Sequence, residues 1–158
     1  MKAQEWINRL GLEPHPEGGY YKSTYQSDIW LAREQGKRPL YTSIYFLLRS
    51  EDVSHFHRLQ SDELWYFHAG SSLTIHMITP EGEYQEIALG IDIEKGEVPQ
   101  FVVPKHTIFG SSVKDADTFS LVGCMVSPGF DFLDFELFSE DSLLAEYPDF
   151  SEIIGRMT

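Results

Sequence analysis

The amino-acid sequence predicts an all-β fold, an antiparallel sandwich or barrel framed by short helices at both ends, in a single domain. Three observations carry that expectation. From about Tyr41 to Phe138, short runs of β-branched and aromatic residues alternate with turn signals at a steady rhythm. The 11 Phe, 8 Tyr and 3 Trp are many for 158 residues, and aromatic side chains favour strands and lined pockets over helical bundles. No repeat, low-complexity tract or long linker divides the chain, and a domain of this size buries roughly two-thirds of its unfolded surface around one core.

The elements follow in order. Trp6, Ile7 and Leu10 stand at helical spacing with Gly11 directly after them, which predicts an opening helix over about residues 3–10 with a glycine cap. His15-Pro16-Glu17-Gly18-Gly19 cannot continue a helix, and Tyr20 to Tyr25 has the aromatic, β-branched and polar mix of a strand. Residues 33–39 are charged and strand-poor and read as a surface loop. Strands are predicted over 42–48, 53–57, 64–68, 73–78, 84–89, 101–103, 119–126 and 132–138, so that the barrel occupies about 20–138. The last of these alternates Phe132, Asp134 and Glu136 with Leu133, Phe135 and Leu137, as a strand with one buried face does. Ser139, followed by Glu140 and Asp141, starts a closing helix; Pro148 interrupts it, and Asp149 with Glu152 has the spacing of a capping box for a last turn, placing the C-terminal helices at about 140–155.

A formal charge of −13 excludes a basic stripe for nucleic acid and disfavours anionic membrane surfaces, and the acidity itself reads as solubility. Cys124 is the single cysteine, so neither an internal disulfide nor a thiolate metal cluster is expected. With no basic start followed by an apolar run in residues 1–20, and no apolar stretch long enough to span a bilayer, a cytoplasmic location is the expectation.

The chemistry concentrates in residues 54–70. In an extended strand, residues two apart share a face, so His55 and His57 are expected to project together, about 6–7 Å apart at the backbone. A carboxylate from the next strand, Glu63 or Asp62, completes a two-histidine, one-carboxylate set of the kind that binds Fe(II) or Mn(II) with open positions. Asp62 and Glu63 point to opposite faces of a regular strand, and Glu63 is the inward candidate, with a bulge near Ser61 allowed. Trp65 and Phe67 share the face of Glu63 by parity, and burial beside such rings raises a carboxyl pKa toward the range useful for proton transfer.

This stretch resembles the first motif of the cupin superfamily: His-x-His, three or four residues, Glu, six residues and Gly, with Glu63 at the required distance from Gly70 but separated from His57 by five residues. The second cupin motif falls on Pro104 to Val113, where Phe109 occupies the place of the metal-binding histidine. Phe109 ligates no metal, so a four-ligand site requires His68, His76 or His106 to substitute. His15-Pro16-Glu17-Gly18-Gly19-Tyr20, Ser43 to Leu48, Phe56-His57-Arg58, Asp62-Glu63-x-Trp65, Pro99-Gln100, Val126 to Asp131 and Asp134-Phe135 together resemble the fifth numbered cupin domain family. That resemblance covers nearly the whole chain. It implies a double-stranded β-helix, the jelly-roll barrel of RmlC-like proteins, and a homodimer, and leaves the reaction open.

Three functions follow as expectations. The first is a small polar, carbohydrate-like ligand in the barrel and a metal-independent isomerase or epimerase, with His57 as base and Tyr45 or Glu63 as acid. Its ligand-binding residues are His55, Trp65, Phe67, Gln100, Phe109 and Glu17, and no cofactor is required. The second is a metal-dependent oxygenase or isomerase holding Fe, Mn, Ni or Zn on His55, His57 and Glu63. The third is a binding module without catalysis.

Overall fold

The computed structural model describes residues 1–158. In chain order the elements are α1 (Ala3–Leu10), β1 (Glu13–Pro14), β2 (Tyr20–Gln26), β3 (Trp30–Arg33), β4 (Gly36–Pro39), β5 (Thr42–Arg49), β6 (Val53–Arg58), β7 (Asp62–Gly70) and β8 (Leu73–Ile78). There follow β9 (Tyr84–Leu89), β10 (Gln100–Val103), β11 (Ile108–Val113), β12 (Phe119–Ser127), β13 (Glu136–Leu137), α2 (Glu140–Glu146) and α3 (Ser151–Met157). A six-stranded antiparallel sheet runs β1-β2-β5-β12-β7-β10, and a five-stranded one runs β13-β6-β11-β8-β9. The two sheets face each other as a jelly roll.

Alternation along each strand decides where the core sits. Phe46, Leu48, Trp65, Leu73, Ile75, Phe109 and Val122 are buried between the sheets. The opposite faces also carry apolar residues, and each is covered by a helix. Ile7 and Leu12 lie with Leu47, Phe119 and Leu121 on the six-stranded sheet. Leu143, Ile154 and Met157 lie with Phe56, Ile78 and Ile108 on the five-stranded one. Each fully buried side chain of this size contributes about 1.5–3 kcal/mol, so the terminal helices keep both sheets' outer faces from water. The opening helix ends as its sequence predicts, with Gly11 at φ +65° and its N–H on the Asn8 and Ile7 carbonyls.

Four expectations need correction. Residues 33–39 are not a loop: β3 and β4 form a hairpin, closed tightly because Gly36 takes φ +110°. Residues 108–113, absent from the predicted strands, form β11, a central strand paired with both β6 and β8. Pairing on two sides overrides the weak strand propensity of Gly110-Ser111-Ser112. Residues 132–138 are mostly not a strand. The Asp131 side chain accepts the Leu133 N–H at 2.9 Å and winds Phe132–Asp134 into a 3-10 turn, leaving only Glu136 and Leu137 to pair with β6. Finally, Ser139 caps α2, but α3 starts without any side-chain cap, so the Asp149–Glu152 box does not form.

Candidate functional site

Glu17 is placed by its backbone. The turn after His15 docks on β6, where the Glu17 carbonyl accepts the His55 backbone N–H at 2.7 Å and the His55 Nδ1–H at 2.8 Å. Gly18 makes the approach possible: it sits at φ +106°, and a Cβ there would lie 1.9 Å from the Val53 carbonyl oxygen. The Glu17 side chain then turns inward, and its Oε2 lies 2.9 Å from Nε2 of His57.

His57 enters the same space because β6 is bulged. Phe109 of β11 pairs with His57 and Ser111 with Ser54, so two steps on β11 match three on β6. One residue more than the regular ladder holds lies between Ser54 and His57. His57 therefore faces inward against the Phe109 ring, centroids 4.2 Å apart, while His55 turns aside and holds the Glu17 turn. Nδ1 of His57 donates to the His55 carbonyl at 2.7 Å, so a proton must also lie between its Nε2 and Glu17. Burial alone disfavours both charges. The ion pair and its hydrogen bond outweigh it, holding His57 above and Glu17 below their ordinary values.

Glu63 comes from the opposite sheet. On β7 the alternation sends Glu63 and Trp65 inward, while Asp62 faces out and accepts the Lys105 backbone N–H at 2.9 Å. Burial pushes the Glu63 carboxyl up to about 8, the negative charge of Glu17 adds to it, and His57 only partly opposes it. At neutral pH Glu63 is therefore mostly a neutral acid beside an ionised carboxylate. Cys124, on the neighbouring β12, is buried in the same wall, and its thiol is pushed well up by burial and by these carboxyls.

These groups line a cavity of about 160 Å³ between the sheets. His15 stands beside Glu17 with its Nδ1 accepting the Glu17 backbone N–H at 3.1 Å, which leaves that ring neutral, and burial lowers its pKa further. Tyr21, Ser23 and Gln26 of β2 complete one wall. The mouth carries Phe130 and Phe132, edge to face at 4.9 Å, on the segment after β12. That segment is fastened to the β3–β4 hairpin by Arg38, which is bidentate on Asp134 at 2.7 and 3.1 Å.

Of the residues singled out from sequence, His57, Glu63 and Glu17 meet in the cavity. Others do not. Tyr45 shares a face with Leu47 as parity predicts, but that face is the outer one, under α1, where its ring packs on His68. It cannot serve as the acid. Gln100 is exposed on the edge strand β10, away from the cavity. Trp65 and Phe109 are core, their rings 6.2 Å apart, and Phe67 packs against the same cluster; none of the three lines the cavity. His57 is not a free base, because both ring nitrogens are engaged. The metal trio also dissolves: His55 does not line the cavity, both ring nitrogens of His57 are engaged, by Glu17 and by the His55 carbonyl, and no group of three His, Cys, Asp or Glu is arranged to hold an ion. The donor set present does not fit a metal.

His15, Gln26 and the Phe130–Phe132 mouth escape sequence reasoning. For His15 the signal existed, two residues before Glu17 in the quoted motif. For Gln26 it did not: a register shift at Thr24 of β2 puts Gln26, itself exposed, on the cavity rim and sends Tyr25 to the other side.

The chain matches the family model described as Cupin superfamily (DUF985) over residues 4–138. A solved structure of a protein from Shewanella oneidensis is similar at TM-score 0.94 and 55% identity, covering 100% of this chain and 98% of that one. A hypothetical protein from Leishmania major is similar at TM-score 0.95 and 43% identity, over 100% and 99%. An uncharacterized protein of Saccharomyces cerevisiae is 30% identical over 146 residues, 83% of this chain and 72% of its own length. No helix is long and apolar enough to cross a membrane.

Proposed function

Because this chain belongs to the cupin superfamily group described as DUF985, a jelly roll lined from both sheets, we propose that it binds a small polar, carbohydrate-like molecule and moves a proton on it, as a metal-independent isomerase or epimerase does. One observation carries the reading: an ionised carboxylate, Glu17, and a neutral carboxyl, Glu63, line one small cavity from opposite walls. Environments that push two like groups apart in pKa assign one as base and the other as acid.

Glu17 is the base. Its carboxylate takes the proton from a carbon beside the ligand's carbonyl; the C–H electron pair becomes a C=C bond, and the carbonyl oxygen takes the proton of Glu63. Ionised Glu63 then accepts the proton of the neighbouring hydroxyl, and Glu17 returns its own to the former carbonyl carbon, which completes an isomerisation. His57 is a positioning residue, keeping Glu17 ionised and aimed.

The test is solvent exchange. Free aldoses and ketoses of three to six carbons are incubated with the protein in D2O and followed by proton NMR. Deuterium is expected beside the carbonyl of at least one, lost in Glu17→Gln and Glu63→Gln and kept in Tyr45→Phe. A sugar that binds and returns unlabelled defeats the catalytic reading and leaves a binding module.

A further inference from the structure

We infer that the ligand is uncharged, a free hydroxy-aldehyde or hydroxy-ketone of sugar size that carries neither phosphate nor carboxylate. The inference deepens the proposed proton transfer and rests on that reading for the carbonyl, while the charge selection rests on the cavity wall alone.

An anion finds no partner in the wall. None of the lining residues is Lys or Arg. The buried guanidinium of Arg38 is committed to Asp134, with a further N–H on the Lys37 carbonyl at 2.8 Å. His57 is the single positive charge at the cavity, and its two N–H groups point at Glu17 and at the His55 carbonyl. A phosphate or carboxylate would therefore give up its water beside ionised Glu17, with no charged donor in return. A cation fares little better, because the carboxylate it would seek already holds the His57 imidazolium at 2.9 Å.

The rest of the wall offers neutral groups. Ser23 and Thr42 bring hydroxyls and Gln26 an amide. The Thr42 oxygen accepts the Phe130 N–H at 2.9 Å, which leaves its own hydrogen to donate elsewhere. Tyr21, Phe130 and Phe132 bring ring surface. Hydroxyls facing hydroxyls and an amide, with C–H faces against aromatic rings, is the complement of an unmodified sugar. The cavity, about 160 Å³, is small against the usual ligand pockets of about 300–1,000 Å³, which excludes nucleotide-linked and oligomeric forms.

The experiment is a chemical-shift titration of the intact, isotope-labelled protein at pH 7 with free three- to six-carbon aldoses and ketoses, their phosphate esters, the matching aldonic acids and amino sugars. At least one free sugar is expected to saturate, with its phosphate ester and acid at least about tenfold weaker, and the Ser23→Ala/Gln26→Ala double variant is expected to weaken the free sugar about tenfold. Tighter binding by an ester, acid or amino sugar overturns the inference, and so does the absence of binding by every free sugar. The two readings separate cleanly: a free sugar that binds without deuterium exchange removes the proton transfer alone, and a charged compound that binds and exchanges removes the charge selection alone.

Discussion

Nε2 of His57 lies 2.9 Å from Oε2 of Glu17 while the other ring nitrogen is tied to the His55 carbonyl, so one proton lies between the two side chains, and the pairing favours it on the imidazole by raising His57 and lowering Glu17. Each charge is buried, and each is tolerated because of the other.

Removing one partner strands the other. His57→Ala is expected to cost about 3–5 kcal/mol in urea unfolding, because Glu17 then stays buried without its imidazolium. The double variant His57→Ala/Glu17→Gln is expected to recover part of that loss. Equal or greater instability in the double variant would show that cavity formation, and not stranded charge, sets the cost.

Stability is expected to fall as pH rises above about 5. Glu63 ionises near 4.5 unfolded but near 8 folded, so between those values the native state holds one proton more than the unfolded chain and loses about 5 kcal/mol across the window. His57, raised by Glu17, stabilises fully below 6.5 and loses that contribution as pH climbs through its folded value. Glu17 acts in the opposite sense, its stabilisation disappearing as pH falls below about 4.5. Urea unfolding at pH 5, 6, 7 and 8 checks the slope, which Glu63→Gln should flatten. A wild-type curve that is level from 5 to 8 contradicts the buried acid.

The two carboxyls are coupled through space. Glu17→Gln removes a negative charge beside Glu63 and is expected to lower its pKa from about 8, followed by carbon NMR of the labelled side chain. Tyr45→Phe and Gln100→Ala, on the outer face and the edge strand, should leave it in place. A shift in either control would mean that these residues reach the cavity after all.

Gly18→Ala tests how the base is aimed. The new methyl meets the Val53 carbonyl in a conformation that disfavours any side chain, so the turn must lift from β6. A loss above about 1 kcal/mol is expected, together with a His57 pKa that falls toward its ordinary value as Glu17 withdraws. An unchanged His57 titration would separate the turn from the pair.

Arg38→Ala is expected to loosen the cavity mouth, read as faster amide exchange in residues 130–135 with the strands of both sheets unaffected. The guanidinium's two bonds to Asp134 are the fastening between that segment and the β3–β4 hairpin. Uniform protection in the variant would locate the fastening elsewhere.

Much of this could be read from sequence because strand alternation is a local property of the pleated backbone. Parity puts Asp62 and Glu63 on opposite faces and places Trp65 with Glu63, and an apolar-plus-glycine pattern suffices for α1. The same rule fails wherever cross-strand register intervenes. The bulge in β6 parts His55 from His57, and the shift in β2 brings Gln26 to the cavity rim. Parity also cannot say which face is inner when both are apolar, which is why Tyr45 is a plausible acid in the sequence and a packing residue under α1 in the fold.

Propensity, parity and turn chemistry, written residue by residue, determined an all-β sandwich or barrel with Asp62 and Glu63 on opposite faces of β7, and the jelly roll and the inward choice of Glu63 came with the resemblance of its motifs to the cupins. Only the tertiary structure decided that Glu17, on a turn far earlier in the chain, pairs with His57 and leaves Glu63 as the neutral acid. That choice depends on burial and on charges brought together across two sheets, and neither exists until the strands have paired.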